Sequence, residues 1–453
     1  MAWAKLSPFL VQHFKIGGYL VRKSKLLFRM VILAITLSLI CQKALSSAPK
    51  VDSFTLINGI RVVSLYIRDS NNVSIFTHLP MSLASDGPGQ GQWSHLVEHL
   101  VIRTTVPSDS QQANAETLPD HMRLDFYGTI NNWQEGMSHH AKWLKGVPFT
   151  EKNLEAEKLN INSECENVAR RLFTHKFAMA AWGQGCRHGL KHAALVADIN
   201  KASLNEIQEY RDRYLAVLHR AVVCVVGGID VKTLKSIIVD KLGVIQTDAS
   251  VPKAVKLHPG EHEMTWDLNA KHLMLTWPIP NFAENDYPAL MVAAQWLNIK
   301  FFADAGLKSL TGMVLAGADL TVPEGNFFYI SASLKPESSF GDVKEKIGRH
   351  LQTFRSGPAA LPGAAVIGQQ LSYQMTSLMD PAVFKAQAPP NVTLAMIEGN
   401  LAIQWAMNEF RYGPQRAALA KQLAGVNSQR VSQAVANYLS DDKCSTCILS
   451  FSQ

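Results

Sequence analysis

The sequence predicts an α+β protein built from two similar halves. Three observations carry that expectation. Extended and helical segments mix without strict strand–helix alternation, which excludes a regular parallel α/β sheet. The chain of 453 residues is too long for one ordinary core. A polar, proline-containing stretch from Gln246 to Pro259 separates two segments in which strands and helices follow one another in a similar succession. The expected division is a leader over residues 1–46, a first α+β domain over 50–245 and a second over 260–453.

Residues 53–80 read as two or three short strands, the first pair joined at Asn58-Gly59, with β-branched and polar residues alternating in Arg61–Tyr66 and Val73–Thr77. A glycine-rich stretch, Asp86–Gly91, then precedes a helix. A helix is expected from Glu151 to Phe173, and Ser203 caps another whose apolar residues Leu204, Ile207, Tyr210, Tyr214 and Val217 recur at three and four. It feeds a buried strand, Ala221–Val226, ending in Gly227-Gly228, and a helix follows over Val231–Leu242. In the second half strands are expected at Leu273–Trp277, Met313–Leu320, Asn326–Leu334 and Cys447–Phe451. Helices are expected at Tyr287–Leu297, Val343–Phe354, Leu394–Glu409 and Ser428–Tyr438.

The formal charge of +7 resides in the leader. Removing residues 1–46, which hold no acid, leaves 37 Lys+Arg against 37 Asp+Glu, so the basic balance is no argument for a nucleic-acid partner. The leader's basic stretch (Arg22, Lys23, Lys25, Arg29), its apolar run Val31–Ile40 and its small residues Ala44, Ser46, Ser47 and Ala48 match a secretory signal cleaved after Ser46. The expected destination is periplasmic or secreted, and the only membrane contact is through an uncleaved leader. A mitochondrial transit peptide or a membrane anchor is the rival reading. Cys165, Cys186, Cys224, Cys444 and Cys447 are too few and too odd in number for a disulfide framework; Cys444 and Cys447 read as a local disulfide or two structural thiols.

The chemistry-bearing motif is His95-Leu96-Val97-Glu98-His99. On a helix His95 and His99 lie one turn apart on one face and can share one Zn²⁺, while Glu98 projects beside them, free to act as a base. This is the H-x-x-E-H order. The bland reading is a polar helix face with two solvated histidines. Zinc held by two histidines needs a third protein ligand. In the expected 151–173 helix, Leu154, Glu157, Ile161, Glu164 and Val168 recur at three and four, placing two carboxylates in an otherwise apolar stripe. Buried carboxylates call for a compensating cation, which a metal on the facing histidines would supply; the competing reading is acids that graze solvent.

His95-x-x-Glu98-His99 followed by Glu157-x6-Glu164 resembles the insulinase/pitrilysin family of zinc peptidases, the inverzincins that include the mitochondrial processing peptidase. Gly128–Asn132 resembles that family's Gly-x-x-x-Asn-Ala strand beside the active site, Tyr210–Asp230 its first-repeat closing strand, and Pro278–Leu297 and Val426–Leu439 parts of its second repeat. The resemblance implies one Zn²⁺ bound by His95, His99 and Glu164, with Glu98 as general base, Glu157 orienting a ligand from behind, and Asn131 and Asn132 beside a peptide substrate. It implies half of a clamshell, a catalytic first domain and a non-catalytic homologous second, forming a homodimer or a heterodimer with a related non-catalytic subunit around a peptide chamber. The implied activity is zinc-dependent endopeptidase cleavage of peptides; the alternative is a catalytically idle scaffold or partner subunit. The sequence departs from the pattern after His99, where the usual Gly-Thr is missing, and at Trp133, where the family has Ala. Arg411-Tyr412 is a substrate-steadying candidate by residue type only, with a surface Arg beside a half-buried Tyr as the simpler expectation. His139-His140, expected on extended chain, would face opposite sides.

Overall fold

The computed structural model describes residues 50–451 apart from 106–111, 170–174, 194–195, 248–256, 267–269, 323–324, 378–380, 382–384, 386–387 and 390. The leader and its cleavage site lie outside the described residues, as does most of the expected 246–259 linker. No described helix is long and apolar enough to cross a membrane.

The fold is mixed α/β, with two six-stranded mixed sheets covered by helices. In the first half β1 (Lys50–Thr55) and β2 (Arg61–Tyr66) form the expected hairpin, and Gly59 takes the positive φ of 88° that its turn requires. The Asn58 amide donates to the Leu242 and Ile245 carbonyls, fixing that turn to the core. β3 (Asn72–Leu79), β4 (Ala113–Thr117), β5 (Met122–Thr129) and β7 (Val222–Gly227) complete the sheet in the order β1-β2-β7-β3-β5-β4. Its helices are α1 (Trp93–Thr105), α2 (Trp133–Lys145), α3 (Glu151–Ala169), α4 (His175–Trp182), α5 (Ala197–Lys201), α6 (Leu204–Leu215) and α7 (Val231–Leu242). Ser203 caps α6 through a full capping box with Glu206, as its sequence signature predicts.

The second sheet combines β6 (His192–Ala193), β8 (Gly260–Trp266), β9 (Lys271–Ile279), β10 (Thr311–Val322), β11 (Gly325–Leu334) and β12 (Ser445–Phe451). Read from β6, its order is β6-β8-β12-β9-β11-β10, the same succession as the first sheet. β2 with β7 and β8 with β12 are parallel pairs at matching places, whereas β6 runs parallel to β8 where β1 is antiparallel to β2. The second half adds α8 (Tyr287–Ala303), α9 (Ala305–Leu310), α10 (Phe340–Arg355), α11 (Ala364–Thr376), α12 (Leu394–Tyr412), α13 (Arg416–Ala424) and α14 (Ser428–Tyr438).

Two segments cross between the halves. After α4, a π-helical turn (Gly183–Arg187) leads into β6, which pairs with β8 of the second sheet. In return α12 lies on the first sheet, where its Ala402, Trp405 and Ala406 join Val63, Leu65, Phe76, Val222, Cys224 and Val226 in one apolar cluster. The opposite face of that sheet and α1, α2, α3 and α6 share the larger core. His139 and His140 lie on helix α2 rather than on extended chain: the chain turns at Asn132 and winds at once. His140 is buried with Nδ1 2.7 Å from the Thr77 hydroxyl.

Candidate metal centre

Helix α1 is buried almost all round, with Leu96, Val97, Leu100 and Val101 in the core, and it carries His95, Glu98 and His99 on the face toward α3. Its first turn is pinned from outside. The Asp86 carboxyl accepts from the Ser94 amide at 3.2 Å and its hydroxyl at 3.1 Å, and from the Tyr210 hydroxyl of α6. Burial pushes Asp86 up to about 8, against the lowering effect of those bonds. Gln92, at a left-handed φ of 64°, precedes the helix, and its side-chain Oε1 lies 3.1 Å from His95 Nδ1. A strained backbone at that position aims a side chain that fixes the His95 tautomer.

Helix α3 faces this surface. Leu154, Ile161 and Cys165 are fully buried, while Glu157 and Glu164 stand on the side toward the histidines. Glu164 Oε2 lies 3.6 Å from His95 Nε2 and 3.6 Å from His99 Nε2. Ligand atoms of His95, His99 and Glu164 all fall within 4.8 Å of one another, the one such His/Cys/Asp/Glu group among the described residues. Tetrahedral zinc with ligands near 2.05 Å separates them by about 3.3 Å, so the donor set fits that ion with small adjustments. The rear nitrogens are engaged as metal-ligating histidines require. His99 Nδ1 lies 3.0 Å from Glu157 Oε2, and His95 Nδ1 faces Gln92, leaving both Nε2 atoms toward Glu164.

Glu157 is itself held, by the Asn160 amide at 2.8 Å and Arg103 Nε at 3.0 Å. Burial opposes its charge, but bonds from His99 and Asn160 with Arg103 beside it keep its carboxyl below the usual range. The imidazoles of His95 and His99, each 3.6 Å away, hold Glu164 far below it. Burial disfavours a charged His99, yet the bond to Glu157 and the carboxylates of Glu164 and Glu98 nearby outweigh it and push the imidazole up to about 10. Two carboxylates and two imidazoles thus form a site whose negative charge calls for a cation.

Glu98 is 8 % exposed and does not join the cluster of three. Its Oε2 accepts from the Thr117 hydroxyl at 2.6 Å. Thr117 closes β4, the outer strand of the first sheet, which has no neighbour on its far side among the described residues. The sequence reading missed β4 and placed the substrate-side asparagines elsewhere. Asn132 accepts from the Thr129 amide at 2.7 Å and starts α2, and Asn131 sits in the same exposed turn. Thr117 pairs with Met122, and Thr129 stands seven residues further along β5, about 23 Å at 3.3 Å per residue. Asn131 and Asn132 are therefore not beside Glu98. An Asn-Ala dipeptide does lie on the outer strand, at Asn114-Ala115 three residues before Thr117, without the glycine that would have flagged it.

Arg411 and Tyr412 are not at the surface. Tyr412 is buried against Phe282 and Tyr287. Arg411 bonds both oxygens of Asp120, at 2.7 and 3.0 Å, and Asp319 of β10 at 2.6 Å, joining the two halves. Cys444 and Cys447 are both free thiols, as one branch of the sequence reading had it.

No curated protein matches the chain. Residues 201–360 match the peptidase M16 inactive domain family. Among solved structures, a protease from Helicobacter pylori superposes with a TM-score of 0.62 at 15 % identity, over 89 % of this chain and 100 % of that one. A peptidase M16 inactive domain from Pseudomonas fluorescens gives 0.61 at 13 % identity, over 89 % and 99 %. The periplasmic protease PqqL from Escherichia coli gives 0.56 at 14 % identity over 89 % of this chain but 48 % of its own length. The chain therefore has the fold of M16-like peptidases, and its residues 201–360 carry the sequence signature of that family's inactive domain.

Proposed function

We propose that this chain is a zinc-dependent endopeptidase, the subunit of a two-part peptide chamber that carries the metal. The observation that supports it most is the convergence of His95, His99 and Glu164 from two helices, each histidine backed by its own acceptor. The match to an inactive domain falls mostly on the second half, which holds no H-x-x-E-H, and leaves the motif-bearing residues 95–164 outside it.

His95, His99 and Glu164 would hold the ion. Zinc bound there supplies a Lewis acid for the scissile carbonyl and lowers the pKa of an attacking water. Glu98, with one carboxylate oxygen held by Thr117, would serve as the base that takes a proton from an attacking water and returns it to the departing amine. The open side of β4 can accept an extended peptide as an added strand, with Asn114 and Ala115 along it, which selects unfolded segments over folded proteins. Export is the reading in keeping with the leader, and a periplasmic protease shares the fold.

The second reading is a scaffold or partner subunit, and the inactive-domain match favours it. Glu98→Gln separates the two. Zinc analysis and oligopeptide cleavage on the purified complex should give one metal per chain in both proteins and a loss of at least about 10²-fold in turnover in the variant. Stoichiometric binding failing in the parent protein, or equal cleavage by the variant, leaves the partner-subunit reading standing.

A further inference from the structure

The Cys444-to-Cys447 stretch has a use that its own spacing hides. On a strand, residues three apart face opposite sides, so the two thiols cannot meet. Cys444 turns to the Thr446 hydroxyl at 3.7 Å, while Cys447 is fully buried on the inner face of β12. There its thiol neighbours that of Cys186 in the π-helical turn, also fully buried. The backbones around the pair are tied together. The His258 amide donates to the Cys186 carbonyl at 2.7 Å, and the Ser445 hydroxyl donates to the His258 carbonyl at 2.8 Å. Met264 lies between the two segments: its sulfur accepts from Cys447 at 3.5 Å, and a Cβ on Gly185, the residue before Cys186, would stand 2.1 Å from it. Two thiols far apart in sequence, one on each half, are thus brought together by segments that are tied to each other.

We propose that Cys186 and Cys447 close a disulfide that fastens the crossing segment of the first half to the last strand of the second when the chain folds in an oxidising compartment. The reaction is thiol–disulfide exchange with a donor disulfide, either a protein disulfide or glutathione disulfide. The Cys186 thiolate attacks one donor sulfur and expels the other as thiolate. Cys447, its proton lost to solvent, then attacks the Cys186 sulfur of the mixed disulfide and releases the second donor thiolate. The chain gives up two protons and two electrons, and the donor is reduced to two thiols. Neither sulfur is exposed in the folded chain, so exchange precedes docking of the second half, and the finished bond is sheltered from reductants.

The test is a thiol map. The full chain is refolded in glutathione and glutathione disulfide, or isolated without reductant from an oxidising compartment. It is then alkylated with iodoacetamide in denaturant and digested. The expected product is one linked peptide pair through Cys186 and Cys447, with the remaining cysteines alkylated. Cys447→Ser should return Cys186 to the alkylated pool, and Cys186→Ser should do the same for Cys447, each lowering the melting temperature only under non-reducing conditions. Complete alkylation of Cys186 and Cys447 in folded material, or a link between Cys444 and Cys447, overturns the proposal. Zinc content and cleavage play no part in the outcome.

Discussion

His99 Nδ1 lies 3.0 Å from Glu157 Oε2, and the other oxygen of that carboxylate takes Arg103 Nε at 3.0 Å. Glu157 is thus a hinge between an exposed cation and the rear of a candidate ligand, which fixes the imidazole with Nε2 toward Glu164. A carboxylate in that position makes the imidazole a stronger donor to a metal. Glu157→Ala should lower zinc affinity by about 10- to 100-fold with the fold intact, as measured by competition with a chromophoric chelator. Unchanged affinity would remove Glu157 from this role.

Thr117 offers a test of the base that spares the ligands. Its hydroxyl donates to Glu98 Oε2 at 2.6 Å, so the side chain that would take a proton has one oxygen fixed and one available. Thr117→Val keeps shape and removes the donor. A charge-assisted bond is worth about 1.5–3 kcal/mol, so kcat should fall by roughly 10- to 100-fold while zinc content and KM stay near the parent values. Thr117→Ser should restore most of the rate; equal rates in all three proteins would show that Glu98 needs no such support.

Asp86 predicts a pH dependence of stability. Its carboxyl has an ordinary pKa of 3.8 when unfolded and about 8 when folded, because burial disfavours the charged form. Between those values the folded chain binds the proton more tightly, so the contribution of Asp86 to stability is full below pH 4 and declines as pH rises to about 8. Asp86→Asn keeps an acceptor for Ser94 and has no proton to lose. Chemical denaturation between pH 5 and pH 9 should show the variant gaining on the parent as pH rises. Parallel curves would mean that Asp86 is ionised in the folded chain at neutral pH.

Most of the helices and strands that read clearly from sequence carry a local signal: Ser203 with Glu206 at α6, Asn58-Gly59 in the first hairpin, and the 3.6 period of α10. The three proposed ligands were readable because the H-x-x-E-H spacing and the carboxylate stripe of α3 are helix-periodic, and periodic patterns survive without tertiary knowledge. Where the sequence misled, tertiary contact decided. Asn132 reads as strand but stands at the start of a helix. The five residues of β4 are too short and polar to announce a strand, and they exist as one because β5 pairs with them. Gln92 and Asp86 gave no signal, since their roles depend on a backbone turn that brings them to the start of α1. Cys186 and Cys447 meet only because the chain crosses between halves.

Arg411 reads from sequence as a surface residue, and the structure makes it the ion bridge between halves. Asp120 is 4 % exposed; burial opposes its charge, yet Arg411 and then His121, 2.8 Å away, hold its carboxyl well below the usual range. Replacing Arg411 by Met keeps length but leaves Asp120 charged and unpaired by its strongest partner, an arrangement that costs about 3–5 kcal/mol when one member of a buried pair is removed. The half-exposed Asp319 adds little, since solvent screens it. Neutralising the survivor should recover much of the loss: Arg411→Met with Asp120→Asn should unfold at a denaturant midpoint between those of Arg411→Met and the parent. Because Asp120 follows Thr117 by three residues on the turn from β4 to β5, Arg411→Met should also loosen the support of Glu98 and lower kcat more than the double variant does. Additive losses in stability would mean that Arg411 and Asp120 act independently across the interface, and the bridge would then be a contact without coupling.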